Sequence, residues 1–502
     1  MIKVGIFWAV PDGEGGQYVL HISKQCEISE ADSLGFINYR YSHFEIWDYL
    51  RGKRTKDCYR YPRGRVLFDV EADKHIIYAD KCISSESIEK VAELFEIEEY
   101  ELRGDEHYVC ANCAENKPAK RTELNYNILR GKDKIGENLI EISYGDTLIL
   151  VELGKSLDGG DESFEQEILK KNYSAVVVSH YHEDHAGLIK YKSDCPVYMG
   201  QGAYRVIKAM SDYHGEQMPK NIEKYYNGKP FCIGRIKITP YLCDHSAYDS
   251  YMLLFEAGGK SILYTGDFRF HGRKNSNKLL SALPKSVDVL IHEGTNIGKN
   301  SRTMTEAELE NKAVEIMKST DKPVFVLQSG TNIDRLVSIY RASKRSGRIV
   351  YMDNYTSNIA SAIGGSIPRP DVFKDVIAFT PHAVHGKREE AFLEIINKCG
   401  YRNIVNGTKR FTMLVRPSML DYLKKLFDTA GYENATLIYS MWKGYKESAY
   451  TSKFLDGIQA LGVNIIDLHT SGHASAEDIN LLKNAVKAKS YVKVHTEIQI
   501  KR

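Results

Sequence analysis

The sequence predicts an α/β protein, built of layered sheets and helices and preceded by a small α+β domain. Three observations predict it. At 502 residues the chain is too long for one compact core, so two or three domains are expected. From about Leu124 onward, short apolar runs of strand length alternate with helical segments that carry one apolar face. Residues 1–118 differ, being rich in aromatic and charged residues with few long apolar runs. The polar stretch Ala114–Thr122 reads as a linker between the two parts.

Apolar residues make up 43% of the chain and charged residues 27%, an ordinary globular composition. The formal charge is +2, from 68 basic and 66 acidic residues. That balance exerts no whole-protein pull on nucleic acid, so any such binding needs a local patch. No apolar run approaches the roughly 18 residues that a membrane span requires. The apolar stretch of Met1–Pro11 is too short for a signal peptide. Nine cysteines, five of them (Cys26, Cys58, Cys82, Cys110, Cys113) within the first 113 residues, do not suggest a secreted disulfide framework. A reducing cytoplasm is expected, with no membrane association.

The elements follow in order. Leu148–Leu153 and Ala175–Ser179 are apolar runs of buried-strand length, as are Ser261–Thr265 and Val287–Ile291. Thr305 and Glu308 have capping-box spacing and open a helix to about Lys318. Pro323–Gln328 is again a strand. Ile333–Arg345 is a helix with apolar positions Ile333, Leu336, Val337 and Tyr340, stopped by Gly347, and Ile349–Met352 is the next strand. There is no internal repeat.

Directly after the strand Ala175–Ser179 come His180, His182, Asp184 and His185. Three imidazoles and a carboxylate are the donor set that suits Zn²⁺. On an extended loop, positions 180 and 182 project to one side and can grip one ion. Asp184 and His185 stand where the chain turns into a helix at Ala186–Lys190 and can face a second. One cluster cannot close two sites, so further ligands are expected at later strand ends. The candidates are His245 in Asp244-His-Ser, Asp267 in Thr265-Gly-Asp-Phe, and His495 in Val492-Lys-Val-His.

These motifs, with Glu293-Gly-Thr, Ser471-Gly-His473-Ala-Ser475 and Val494-His495-Thr-Glu, resemble the β-CASP branch of the metallo-β-lactamase superfamily, and most of all its ribonuclease J-like members. The resemblance runs from about residue 124 to the end. It implies an αββα sandwich with an inserted α/β domain. It implies His180, His182 and His245 on one zinc, and Asp184, His185 and His495 on the other, with Asp267 bridging. Mn²⁺ is an alternative metal. One position departs from the family: Glu152 stands where an Asp is usual, and would serve as an outer hydrogen-bond partner with altered geometry. His495 follows Asp267 by 228 residues, which leaves room for a whole domain. The expected boundaries are 1–118 for an accessory domain, 122–300 and 441–502 for the metallo-β-lactamase domain, and 301–440 for the insertion.

The expected reaction is phosphodiester hydrolysis by a metal-bridging hydroxide, with RNA as the expected substrate and 5′-exonuclease action as one form of it. His473, Asp184 and Glu293 are the catalytic candidates, His473 as the proton donor. Gly472, Ala474 and Ser475 precede the helix Ala476–Ala488 and would hold a substrate phosphate, with plain helix capping as the alternative. Ser329, Asn332 and Arg335 resemble the family's nucleotide-contacting loop. Arg341, Lys344, Arg345 and Arg348 form a basic cluster that either faces a nucleic-acid channel or is a solvated helix face. His382 and His385 read as non-ligands. His107, Cys110 and Cys113 are three zinc donors without an evident fourth, and read more simply as packing residues or free thiols. The N-terminal domain is expected to guide substrate, bind a protein partner, support a homodimer or neutralise the nuclease. Two other functions compete: a small-molecule hydrolase of thioesters, lactones or cyclic phosphodiesters, and an inactive metal-binding scaffold. The sequence ends at Arg502, so the further C-terminal domain of ribonuclease J is not expected.

Overall fold

In the computed structural model, the described residues are 121–156, 162–298, 303–381 and 410–496, with Glu89, Glu99, Glu390 and the strands of residues 1–120. His107, Cys110, Cys113, His382 and His385 lie outside them. The chain divides into two units, Met1–Lys120 and Arg121–Arg502.

In the first unit, Ile2–Pro11 pairs antiparallel with Tyr18–Ile28. A separate five-stranded sheet runs through Ile37–Asn38, Tyr41–Ser42, Val66–Glu71, Lys74–Ala79 and Tyr100–Gly104.

Among its described residues, the second unit holds three six-stranded sheets. The first has the order Ile222–Tyr225, Val197–Gly200, Ala175–Val177, Thr147–Val151, Leu139–Gly145, Arg121–Arg130. The second has the order Phe231–Ile233, Ile236–Cys243, Ser250–Ala257, Lys260–Tyr264, Val289–Glu293, Ser490–Val494. Alternation along the strands explains how these two stack. Ile140, Ile149, Val151, Ala175 and Val177 meet Ile238, Leu253, Phe255, Ile262 and Ile291 in one buried layer. The alternate residues Leu139, Leu150, Val176 and Val178 pack outward against helical residues such as Ile168. Leu254, Leu263 and Leu290 do the same against Leu279, Ile479 and Leu482. The result is helix, sheet, sheet, helix.

The third sheet is parallel throughout, in the order Val376–Phe379, Ile349–Asp353, Phe411–Val415, Val324–Leu327, Thr436–Tyr439, Asn464–Asp467. Its central strand is apolar on both faces, as a parallel sheet covered by helices requires. Val324 and Val326 pack under the helices Glu306–Lys318 and Ile333–Arg345, while Phe325 and Leu327 pack against Leu423, Phe427 and Phe454. The expected capping box at Thr305 and Glu308 is formed, and Gly347 follows the helix end with φ 65°. The expected boundary at 440 is corrected: Asn464–Asp467 pairs with Thr436–Tyr439, so the inserted sheet continues to residue 467.

A buried charge network ties the inserted helices to the sandwich. Arg269 pairs with Asp244 at 2.8 Å, with Glu306 at 3.3 Å and with Asp334 at 2.7 Å. Glu306 also accepts from Arg335 at 3.1 Å and from the Ser338 hydroxyl at 2.6 Å. Burial pushes the Glu306 carboxyl up, but Arg335 and Arg269 outweigh it and bring it down to about 2.

This network also corrects two expectations. Arg335 is fully buried and donates to Ser440, Thr470 and Glu306, so it does not reach a substrate. Arg348 is buried as well and donates to the carbonyls of Met317, Thr320, Lys322 and Phe411. Arg345 and Arg341 both pair with Glu310, at 2.9 and 3.9 Å. Of the expected basic cluster, Arg348 is thus spent within the fold, while Arg341, Lys344 and Arg345 stay exposed, as the solvated-helix-face alternative expects.

Replacing Glu306 by Gln leaves two buried guanidinium groups short of a counter-charge. It is expected to cost about 3 kcal/mol in urea-unfolding free energy. Because the folded-state acidity of Glu306 lies below that of free Glu, its contribution is full above about pH 4.5 and is lost as pH falls towards 2. The variant should therefore lose less stability than the parent over that interval, and an identical acid profile would contradict the assignment.

Candidate metal centre

The second unit gathers its chemistry where strands end. His180 follows Ala175–Val177, His245 follows Ile236–Cys243, and Asp267 follows Lys260–Tyr264. Glu293 closes Val289–Glu293, and His495 follows Ser490–Val494. Gly266 supplies the turn before Asp267 with φ 53°, and a Cβ there would come within 2.7 Å of the Ser179 hydroxyl. Asp184 and His185 lie within a single helical turn, Glu183–Ala186, and a 3₁₀ turn follows at Ile189–Tyr191. The expected helix at Ala186–Lys190 is thus replaced by two short turns, the first including both ligand candidates.

Two donor groups result. His180, His182 and His245 place ligand atoms within 4.8 Å of one another, and so do Asp184, His185, Asp267 and His495. Asp267 stands between them, its carboxylate 3.8 Å from His180, 3.2 Å from His185, 3.9 Å from His245, 3.5 Å from His473 and 3.6 Å from His495. Yet neither of its oxygens, nor His180 Nε2, has a well-formed hydrogen bond. Orphaned donors of this kind, converging from several strand ends, fit a divalent cation.

Electrostatics agree with that fit. Burial and neighbouring imidazoles hold His180 and His245 well below the usual histidine range, so each offers a neutral lone pair. Burial likewise lowers His182 to about 4. His185 behaves oppositely: burial lowers it, but Asp267, Asp184 and Glu152 together raise it well above the normal range. Burial would raise Asp267, but His495, His185 and His473 hold it well below the carboxylate range. The pocket draws positive charge to the space between its carboxylates.

Supporting residues fix the ligands. Glu152, fully buried at φ 63°, accepts from the Ser179 N–H at 3.1 Å and lies 3.3 Å from His185 Nδ1. The Glu at this position therefore reaches a ligand imidazole from outside. His245 Nδ1 lies 2.6 Å from the Gly472 carbonyl. His495, at φ 54°, contacts Asp184 at 3.0 Å and the Thr295 hydroxyl at 2.8 Å. Such left-handed backbone at two non-glycine residues costs about 1–3 kcal/mol each, and it is found where ligands must be aimed.

Beside the donor groups, His473 Nδ1 lies 3.1 Å from Glu293 Oε2. Burial works against a charged imidazole, but Glu293 and Asp267 raise His473 to about 9. Glu293 in turn accepts from the Phe268 N–H at 2.8 Å and the Ala474 N–H at 3.3 Å. This corrects the phosphate expectation. The Ala474 N–H is held by Glu293, and the Ser475 N–H by Asp478 at 3.1 Å, in a capping box with the Ser475 hydroxyl. The helix start takes carboxylates of this chain where a substrate phosphate was expected. Gly472 acts through its carbonyl, and a Cβ there would meet the Ser246 hydroxyl at 2.6 Å. Asn332 caps the helix Ile333–Arg345 by accepting from the Arg335 N–H at 3.0 Å. Of the six expected substrate contacts, Ser329 lines a cleft, together with His182, Glu183 and residues of the inserted domain.

Sequence reading missed two residues of this centre. Asn138 donates to the Asp184 carbonyl at 3.2 Å and approaches His185 Nε2 at 3.2 Å. Thr295 links Glu293, His473 and His495 through one hydroxyl, at 2.8, 3.3 and 2.8 Å. Asn138 carried no motif signal, whereas Thr295 lay within the quoted Glu293-Gly-Thr and could have been found there.

Replacing Glu152 by Gln removes the charge behind His185. Divalent-metal affinity, measured by competition with a chelator, is expected to fall about 10- to 100-fold. An unchanged affinity would show that Glu152 merely packs.

Comparison with known proteins agrees with this geometry. The family described as "Beta-lactamase superfamily domain" matches residues 162–328. Ribonuclease J 1 of Streptococcus pyogenes is 22% identical over 77% of this chain and 71% of its own length. Ribonuclease J of Mycobacterium tuberculosis is 25% identical over 74% and 68% respectively. A crystal structure of an Enterococcus faecalis V583 protein of unknown function superposes with a TM-score of 0.59 at 19% identity, covering 74% of this chain and 94% of that one, a likeness of fold. Residues 162–328 match the β-lactamase superfamily domain, and the likeness to ribonuclease J proteins over about three quarters of the chain supports a β-CASP, ribonuclease J-like protein and a metal-dependent hydrolase.

Proposed function

We propose that the chain is a dinuclear zinc-dependent nuclease that cleaves phosphodiester bonds of RNA. The observation that carries this reading is the position of Asp267, grouped with Asp184, His185 and His495 and within 3.9 Å of His180 and His245, next to the His473–Glu293 pair. His180, His182 and His245 would hold one ion and Asp184, His185 and His495 the other, with Asp267 available to either. Bound divalent ions would lower the pKa of water and offset charge developing on a phosphoryl oxygen.

The protein's own residues supply the rest. His473, kept charged by Glu293 3.1 Å away, would protonate the leaving oxygen. Thr295 keeps Glu293, His473 and His495 in one register. With a formal charge of +2, the protein as a whole exerts little electrostatic attraction on a polyanion. Aromatic rings are the available alternative. Trp442, Tyr445 and Tyr450 are 51, 48 and 61% exposed; Tyr450 lines the cleft beside His182, and Tyr445 feels the charge of Asp184. Base stacking on such rings suits single strands. The ribonuclease J names of the relatives favour RNA over DNA.

End-labelled single-stranded RNA should be cleaved with Zn²⁺ or Mn²⁺, and the Asp184→Ala/His185→Ala double variant should be inactive. His473→Ala should lower kcat about 100- to 10,000-fold. No metal-dependent cleavage, or turnover of a thioester or cyclic nucleotide in its place, would overturn the reading.

A further inference from the structure

The loop that carries His473 hangs from side chains outside it. Asn296 donates to the Ser471 hydroxyl at 3.0 Å and to the carbonyls of His473 and Ala474, each at 3.2 Å. Arg269 donates to the Ser471 carbonyl at 2.9 Å. A further contact to that carbonyl comes from His271, whose Nε2 lies 3.0 Å away. His271 is a buried, titratable side chain that belongs to neither donor group and takes no part in proton transfer.

Both of its ring nitrogens face acceptors. Nδ1 lies 3.1 Å from Asp478 Oδ2, while Nε2 faces the Ser471 carbonyl. A carbonyl can only accept. Asp478 is held as a carboxylate: burial pushes it up, but His271 and the N–H groups of Ser475 and Phe270 outweigh that and bring it below the usual range. A neutral imidazole has one N–H and one bare lone pair, so it satisfies one oxygen and turns its lone pair on the other. The imidazolium, with an N–H at each end, makes both bonds.

The charges around the ring are consistent with that form. From the helix Ala476–Val486 comes Asp478, and from the same chain segment comes Arg269, which shares the Ser471 carbonyl. The helix Glu306–Lys318 contributes Glu306, whose N–H donates to the His271 carbonyl at 3.0 Å. Arg269 is already paired with Asp244, Glu306 and Asp334, which leaves Asp478 to answer the charge on the ring.

We propose that His271 is a positioning residue that holds the Ser471–His473 loop by donating from both ring nitrogens, so that loss of its second proton loosens the loop and slows proton transfer by His473. The inference rests on the nuclease reading, in which His473 is the acid, and extends it to a residue outside the donor groups. A displacement of about 1 Å in a reacting group can cost about 100-fold in rate.

The test uses the full chain with Zn²⁺ or Mn²⁺ and single-stranded RNA, beside His271→Gln, which keeps one donor, and His271→Phe, which keeps none. Circular dichroism and metal content establish that each variant is folded and loaded. In both, kcat should fall about 10- to 100-fold, further in His271→Phe, with KM within about twofold of the parent. The parent's kcat should step down as His271 loses its second ring proton, followed by ¹⁵N signals that are missing from His271→Gln. Both variants should lack that step while keeping the decline near pH 9 that belongs to His473.

A kcat within about twofold of the parent in both variants overturns the proposal, as does a step that survives in them. So does a ring that carries a single proton where kcat is highest. A ring that keeps both protons throughout supports the double donation, and the kcat of the variants then decides. If the parent cleaves no RNA, the nuclease reading fails, and the amide signals of Gly472 and His473 decide alone. They move with the His271 titration if it holds the loop, and stay fixed if it does not.

Discussion

The structure turns on a buried carboxylate that the protein does not satisfy. Asp267 lies among His180, His185, His245, His473 and His495 within 3.9 Å, and its oxygens have no well-formed hydrogen bond. Taking an ion out of water costs several kcal/mol unless charge and geometry return it. Six strand or turn ends converge on that one space, and two residues adopt left-handed backbone to point into it. A fold that arranges itself so is shaped around a cation.

A second constraint decides where substrate can go. Arg269 reaches from the end of the second sheet to Asp244, Glu306 and Asp334, and its Nη1 also donates to the Ser471 carbonyl at 2.9 Å. One guanidinium thus couples the His245 strand end, the loop that carries His473 and the first two helices of the insertion. This coupling sets the Gln328–Thr331 loop beside His182 and forms the cleft. Chemistry and recognition are held in register by charge pairing within the core, where water does not screen it.

The parts of this arrangement legible in the sequence were those with a period or a spacing. The Ile333–Arg345 helix and the capping box at Thr305 follow from local pattern, and both are observed. The run from His180 to His185 marked the centre because its donor types are few and close together. The substrate contacts were less legible, for a physical reason. A Ser or Gly before a helix has the same local sequence whether its N–H groups face a phosphate or a carboxylate from elsewhere in the chain. At Ala474 and Ser475 the carboxylates of Glu293 and Asp478 took those groups. Arg335 and Arg348 looked like surface cations because charge alone cannot reveal a buried partner. Asn138 gave no signal, since a lone amide acquires meaning only from its neighbours.

The central claim is that Asp267 joins two cation sites. Anomalous diffraction from crystals grown with Zn²⁺ tests it most directly. The account predicts two peaks flanking Asp267, one among His180, His182 and His245 and one among Asp184, His185 and His495. No peak at Asp267, or a single ion held without it, would contradict the account.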